Sequence, residues 1–281
     1  MAVRGKSIHL FLMDGTPMGR MKCTLANWTG LTYKIPRTAL GQCGKIGALQ
    51  QSGVYFLFGS DAAQEPAVYI GQAGVRKNNK GLLYRIGEPH PQIDYWTEAV
   101  AFTTADNSFG PTEISYLENR FRNLAVGANR YVVKNGNDPN PGNITEEKES
   151  ELEEFIDYAK LVMGTLGYQV FEPLVDESAA EDTIGKLHFC QGGVKAFGRI
   201  VRDGFVVLKG SKIAETISKS CPMHAVKNRE KYRERIIDNV LQTDILFGSP
   251  SGAAAFVCGY SISGNAAWKN EHEVPLKELS V

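Results

Sequence analysis

The chain has 281 residues, 43% of them hydrophobic and 22% charged, with 31 basic and 31 acidic side chains. This is an ordinary globular composition, long enough for two or three modest domains, with no internal repeat and no low-complexity tract. No run approaches the roughly 18 apolar residues of a membrane span, and the N-terminus lacks the basic start and apolar core of a signal peptide, so a cytoplasmic protein with no membrane partner is expected.

Five cysteines, Cys23, Cys43, Cys190, Cys221 and Cys258, are scattered without a Cys-x-x-Cys pair. They read as reduced thiols. Cys221 and His224 lack the second ligand pair that a structural zinc needs. The zero net charge hides separated blocks: residues 1–50 carry +6, residues 144–182 carry −10 and residues 183–281 carry +5. Basic ends suit a polyanionic partner while an acidic helix stays clear of it; ordinary solvated surface is the other reading.

Taken in order, residues 6–13 read as a strand, turned by Asp14-Gly15 into a returning strand at 20–27. A third short strand follows at 31–35, and a short helix is predicted over 37–49. Residues 1–50 thus form a small β-rich module, too small to bury a core alone, that packs on the next domain. Two adjacent antiparallel strands come next, Gly53-Val54-Tyr55-Phe56-Leu57-Phe58-Gly59 and Ala67-Val68-Tyr69-Ile70-Gly71, separated by turn residues. After a basic loop at 72–80, a short helix is predicted at 81–86 and a strand at 99–103. A helix runs from Pro111-Thr112 to about Val126, opened by its proline. The acidic helix at 145–164 has glutamates in its first turn, where the helix dipole favours them, and an edge strand is predicted at 168–171.

Residues 173–182 read as a linker, and 183–281 as a second α+β domain. Its strands are predicted at 187–190, 196–201, 205–208 and 244–247. A basic helix is predicted at 224–241 and a short alanine-rich one at 252–258. The fold class is therefore α+β: a small antiparallel sheet flanked by helices over 51–172, then the C-terminal α+β domain. The charges Lys227, Arg229, Lys231, Arg233 and Arg235 on the basic helix suit either i,i+4 pairing or a nucleic-acid surface, with Lys209 and Lys212 nearby in sequence.

Chemistry is suggested first by Glu118. On the 112–126 helix it falls inside the apolar arc of Ile114, Leu117, Phe121, Leu124 and Ala125. A carboxylate there is costly unless paired with an arginine, protonated or bound to a cation. Arg85 and His90 stand between it and the tyrosine strands. Together, two tyrosines, an arginine, a histidine and a glutamate can supply a general base, a phosphate clamp and a one-carboxylate Mg²⁺ site.

Gly53-Val54-Tyr55 and Tyr69-Ile70-Gly71 resemble the paired motifs of the GIY-YIG nuclease superfamily, and the order arginine helix, histidine, glutamate helix, asparagine is similar too. Asn27-Trp28-Thr29-Gly30, Tyr95-Trp96-Thr97-Glu98-Ala99-Val100, Asn135-Gly136-Asn137, Leu166-Gly167-Tyr168, Leu208-Lys209-Gly210-Ser211 and Ser249-Pro250-Ser251-Gly252-Ala253-Ala254 extend the likeness. They resemble a stand-alone prokaryotic subgroup with an N-terminal β segment and a C-terminal domain of uncharacterised role.

The resemblance implies a divalent-metal-dependent endonuclease acting on nucleic acid, DNA in preference to RNA. Tyr55 and Tyr69 would line the side of the attacking water, one of them as base or water-positioning group. Arg85 would hold the scissile phosphate and His90 would belong to the same catalytic set. Glu118 would bind one Mg²⁺ (or Mn²⁺), and Asn135 would support the site. The rival reading is a catalytically silent nucleic-acid-binding or regulatory protein on the same fold. Two positions depart from the family pattern: Pro89 sets His90 five residues after Arg85, and Gln72 stands where a lysine is common, with Lys77 or Lys80 as candidate substitutes.

Overall fold

The computed structural model describes residues 4–62, 64–75, 80–136, 140–175 and 185–279. Two units emerge, Met1–Glu172 and Pro173–Val281. Each is α+β. The linker expected at 173–182 lies outside the described residues from 176 onward, as does Lys77.

In the first unit, turn chemistry and alternating apolar positions produce β1 (Ile8–Leu12), β2 (Met21–Leu25) and β3 (Gly30–Pro36). Two 3-10 helices follow, Arg37–Cys43 and Gly47–Gln50, where a single helix is predicted. Gly41, Gly44 and Gly47 weaken an α-helix there, and the chain takes tighter turns instead. Next come β4 (Gly53–Ser60), β5 (Pro66–Ala73), α1 (Leu82–Gly87), β6 (Glu98–Thr104), α2 (Pro111–Ala128), β7 (Val132–Val133) and α3 (Glu146–Thr165). Residues 168–171, predicted as an edge strand, join no sheet. Tyr168 instead stacks on Phe58 at 4.0 Å and donates its hydroxyl to Glu98.

All seven strands form one sheet in the order β1-β2-β3-β6-β4-β5-β7. The first 50 residues are thus not a module laid on the core: β3 pairs along its whole length with β6, so their strands widen the same sheet. Every neighbouring pair is antiparallel except β5 and β7, which run parallel. The sheet is correspondingly larger than the small antiparallel one predicted. Asn27-Trp28-Thr29-Gly30 serves this architecture. Asn27 turns the chain at φ 60°, Trp28 packs on Phe155 at 4.8 Å, and a β-carbon at Gly30 would enter the indole.

The alternation of β4 sends its residues to two different cores. Val54, Phe56 and Phe58 face α2 and α3, with Phe102, Leu117, Phe121 and Ile156. Tyr55 and Leu57 face the other way, among Tyr33, Ile35, Leu49, Leu82, Ile86 and Trp96. Burying each large side chain contributes about 1.5–3 kcal/mol, so a central strand covered on both faces is held firmly. That rigidity positions the tyrosines.

The second unit holds β8 (Leu187–Gln191), β9 (Val194–Val201), β10 (Gly204–Val207), α4 (Met223–Lys231), β11 (Ile236–Ile237), β12 (Val240–Leu241), β13 (Ile245–Phe247), α5 (Pro250–Cys258), α6 (Gly264–Ala267) and β14 (Trp268–Lys269). Five strands make a sheet in the order β13-β10-β9-β8-β14. Leu187, Phe189, Ala196, Phe205 and Val207 pack with Phe256 of α5 and Trp268. The helix predicted over 224–241 stops at Lys231. Beyond it, Ile236-Ile237 pairs with Val240-Leu241 across Asp238 and Asn239, both at positive φ (50° and 60°). That is hairpin chemistry, with β-branched residues on the first strand.

The motif residues of this unit maintain its fold. The buried Ser211 hydroxyl accepts the Phe197 N–H, Ser249 caps α5, Ser251 accepts the Gly264 N–H, and Trp268 donates to the Pro250 carbonyl.

Candidate active site

Tyr55 and Gly71 are directly opposed in the β4–β5 ladder, so their side-chain positions share one face. Gly71 has no side chain, and the Tyr55 ring lies across it. A β-carbon there would stand 2.5 Å from the phenolic oxygen. Tyr55 is fully buried, and its hydroxyl has no conventional hydrogen-bond partner. Burial is the main reason its pKa is driven far up; Arg85 opposes this weakly, near enough to favour the phenolate but not placed for a normal bond.

Tyr69 stands two positions before Gly71 on the same face and is half-buried. Its ring centroid is 6.3 Å from that of Tyr55. His90 completes a triangle of rings, 5.7 Å from Tyr55 and 5.5 Å from Tyr69. His90 is buried, and desolvation lowers its pKa, so the ring is neutral. Its Nε2 is 3.1 Å from the Arg85 carbonyl, which fixes Nε2–H as the donor to that carbonyl at the end of α1. His90 therefore braces the tyrosine pair and the Arg85 backbone.

The Arg85 guanidinium reaches towards both tyrosines, and it is held from the other side by Glu88 at 2.6 Å. Glu88, three residues on, keeps Arg85 cationic and occupies one Nη. The remaining N–H groups of the fork stay geometrically distinct from that contact.

Glu118 comes from the opposite layer. Ile114, Leu117 and Phe121 seat α2 against the Phe56 face, which brings Glu118 to the exposed edge of β5. β7 pairs with β5 only at Ala67 and Val68, so among the described residues the second half of that edge has no strand beside it. Asn135 fills the first open place. Its Oδ1 accepts the Ile70 N–H at 3.1 Å and its Nδ2 donates to the Ile70 carbonyl at 2.7 Å, so one amide replaces a strand residue. The next outward-facing peptide is that of Gln72. Gln72 approaches the Glu118 carboxyl with its backbone and its side chain, and both favour the carboxylate. Ser115, 3.2 Å from the Gln72 amide, holds that side chain.

Glu118 makes no ion pair with any described residue. Desolvation is the dominant influence and raises its pKa, against the hydrogen bonds from Gln72 and the charge of Arg85. Because Gly71 has no side chain, the Tyr55 ring lies over it, and its phenol feels the Glu118 charge. The structure thus brings Tyr55, Tyr69, Arg85, His90 and Glu118 to one end of β5, and sets Asn135 behind them as a clamp on Ile70.

Gln72, Ser115 and Glu88 are the participants that sequence reasoning misses. Gln72 carries a signal only through the resemblance, which places a lysine at this position in many relatives. Among the described residues, no group of three or more His, Cys, Asp or Glu side chains gathers as a metal cage. A single half-buried carboxylate that forms no ion pair among the described residues is nonetheless a donor set of the kind Mg²⁺ takes, with waters and substrate phosphate completing its shell.

Comparison with known proteins reaches only the second unit. Residues 187–280 match a family model described as a domain of unknown function, DUF4357. No curated protein and no solved structure matches the chain. No helix among the described residues is long and apolar enough to cross a membrane.

Proposed function

We propose that the first unit is a divalent-metal-dependent endonuclease of the GIY-YIG type that hydrolyses nucleic-acid phosphodiesters, with DNA the preferred substrate. The observation that carries this reading is the gathering beside Gly71 of β5 of residues from two layers of the fold: Tyr55, laid over Gly71 and 6.3 Å from Tyr69, with Arg85 near both, and Glu118 on the opposite layer bonded to Gln72.

In this reading Arg85 binds the scissile phosphate and stabilises charge that develops on it. Tyr69, half-buried where Tyr55 is sealed, meets and orients the attacking water. Tyr55 stays a neutral phenol through the physiological range, because burial holds its proton, and so acts as a hydrogen-bond donor. Gln72 and Ser115 aim the Glu118 carboxylate. Glu118 would hold a Mg²⁺, which would supply Lewis-acid polarisation of the phosphate and positive charge beside the departing oxygen.

The silent-binder reading has one observation in its favour: Arg85 is engaged by Glu88. Incubation of the full chain with supercoiled plasmid, single-stranded DNA and RNA, with Mg²⁺ or Mn²⁺, separates the two. We expect nicking or cleavage by wild type and none by Glu118→Ala. If neither protein cuts any substrate, the silent reading replaces the enzyme.

A further inference from the structure

The five-stranded sheet of the second unit has one face on α5; on the other, Val206 of β10 is buried while the positions of β8 and β9 stay at least partly exposed, and that partly exposed stretch breaks the usual pattern. On a strand covered on one side only, the outward positions are normally polar. In β9 the inward positions Val194, Ala196 and Gly198 are buried, as the alternation requires. The outward series runs Lys195, Phe197, Arg199. An aromatic ring therefore stands, only half-buried, between the exposed Lys195 and the half-buried Arg199.

Its surroundings are cationic. The Lys186 ammonium lies over the Phe197 ring at 4.1 Å from the centroid, and that of Lys195 lies at 5.7 Å. Across the ladder, Phe197 opposes His188, and His188 opposes Lys269, so three side chains form one row on one face. The row spans about 10 Å, two strand spacings. Glu273 is the acid bonded into it, shared between His188 at 2.8 Å and Lys269 at 2.9 Å. Neither Lys186 nor Lys195 pairs with a carboxylate among the described residues. Two like charges drawn to one ring repel each other, and an anion laid between them relieves that repulsion.

We propose that this face is a binding platform for single-stranded nucleic acid, on which Phe197 stacks a base while Lys186 and Lys195 hold the flanking phosphates. Sequence-tolerant single-strand binding needs an aromatic surface together with cations that track the backbone, and both stand here on a rigid sheet. A protein partner of acidic character would use the lysines but leave the aromatic ring without a role. The basic helix α4 is a weaker candidate, because Arg229 turns inward and donates to the backbone carbonyls of Phe256, Ala214 and Val257. The inference rests on the nuclease reading only in choosing a polynucleotide among polyanions.

The test measures binding apart from cleavage. Full-length protein in EDTA is titrated into a fluorescein-labelled single-stranded DNA of about 20 nucleotides, longer than a site of roughly 4–16. Fluorescence anisotropy is followed at several salt concentrations. Phe197→Leu keeps apolar bulk and removes the stacking face; we expect roughly tenfold weaker binding, restored by Phe197→Trp. The double variant Lys186→Ala/Lys195→Ala should make the salt dependence shallower by about 1.4, since each single-strand phosphate contact contributes about 0.7. Thermal unfolding of each variant confirms that the unit is folded.

Wild-type affinity in both folded variants would overturn the proposal. So would binding of polyglutamate, but not of the oligonucleotide, that depends on the lysines. Failure of wild type to cut DNA in Mg²⁺ alongside these binding losses would leave the platform standing and remove only the nuclease reading. Cleavage by wild type with undisturbed binding in the variants would do the reverse.

Discussion

The Tyr55 ring crosses the α-carbon of Gly71, its directly opposed partner, leaving no room for a β-carbon at residue 71. Gly71→Ala should therefore displace a ring packed at the centre of the sheet. We expect a loss of about 1–3 kcal/mol in urea unfolding, the usual cost of overpacking, together with loss of cleavage. An unchanged midpoint would mean that Tyr55 does not lie where the register puts it.

The Tyr55 hydroxyl is buried without a partner, which is costly in any interior. Tyr55→Phe removes that oxygen and keeps the ring. Stability should stay level or rise by about 1 kcal/mol, whereas removing a satisfied hydroxyl normally destabilises. Cleavage should fall at the same time. Thermal unfolding and plasmid nicking on one preparation distinguish this from a structural role, which predicts that both decline together.

Glu118 holds its proton more tightly in the folded protein than in the unfolded chain, because burial raises its pKa. Its contribution to stability is complete below the unfolded carboxyl pKa and is lost as pH rises through the folded value. Glu118→Gln does not ionise, so its advantage over wild type in melting temperature should grow from acid to neutral pH. Mg²⁺ should raise the melting temperature of wild type but not of the variant. Cleavage should drop at least roughly 100-fold, equivalent to about 3 kcal/mol of lost charge stabilisation. A variant that melts with the wild-type pH profile would contradict the assignment of Glu118 as the strained carboxylate.

Asn135 satisfies both backbone groups of Ile70 with one side chain. Asn135→Ala leaves that N–H and carbonyl without protein partners and should cost about 1–3 kcal/mol. Asn135→Asp retains only the acceptor and should fall between. Amide hydrogen exchange at Ile70 reports the clamp directly, and faster exchange there in Asn135→Ala is the expected result.

Much of the site was readable along the chain because its signals are local. The apolar runs at 53–59 and 67–71 identify two β-strands, and period 3.6 alone exposes Glu118 as a carboxylate among apolar neighbours. The same local rules fail where hydrogen bonds and sheet register decide. Nothing near residue 72 announces Ser115, 43 positions away, and nothing near Ile70 announces Asn135, 65 positions away. The helix expected at 224–241 illustrates the limit from the other side, since β-branched residues and two left-handed turn residues override a helical charge pattern.

By itself, the sequence determined the α+β class, the two tyrosine strands and the cost attached to Glu118, because propensity and periodicity act between residues a few positions apart. The tertiary structure alone decided that the first three strands join the central sheet and that Gly71 makes way for Tyr55. It also decided that Glu118, bonded through Gln72 of β5, stands near enough to Tyr55 to act on it electrostatically. Those outcomes depend on which strand lies beside which, and a one-residue shift in register would reverse the face of every side chain involved.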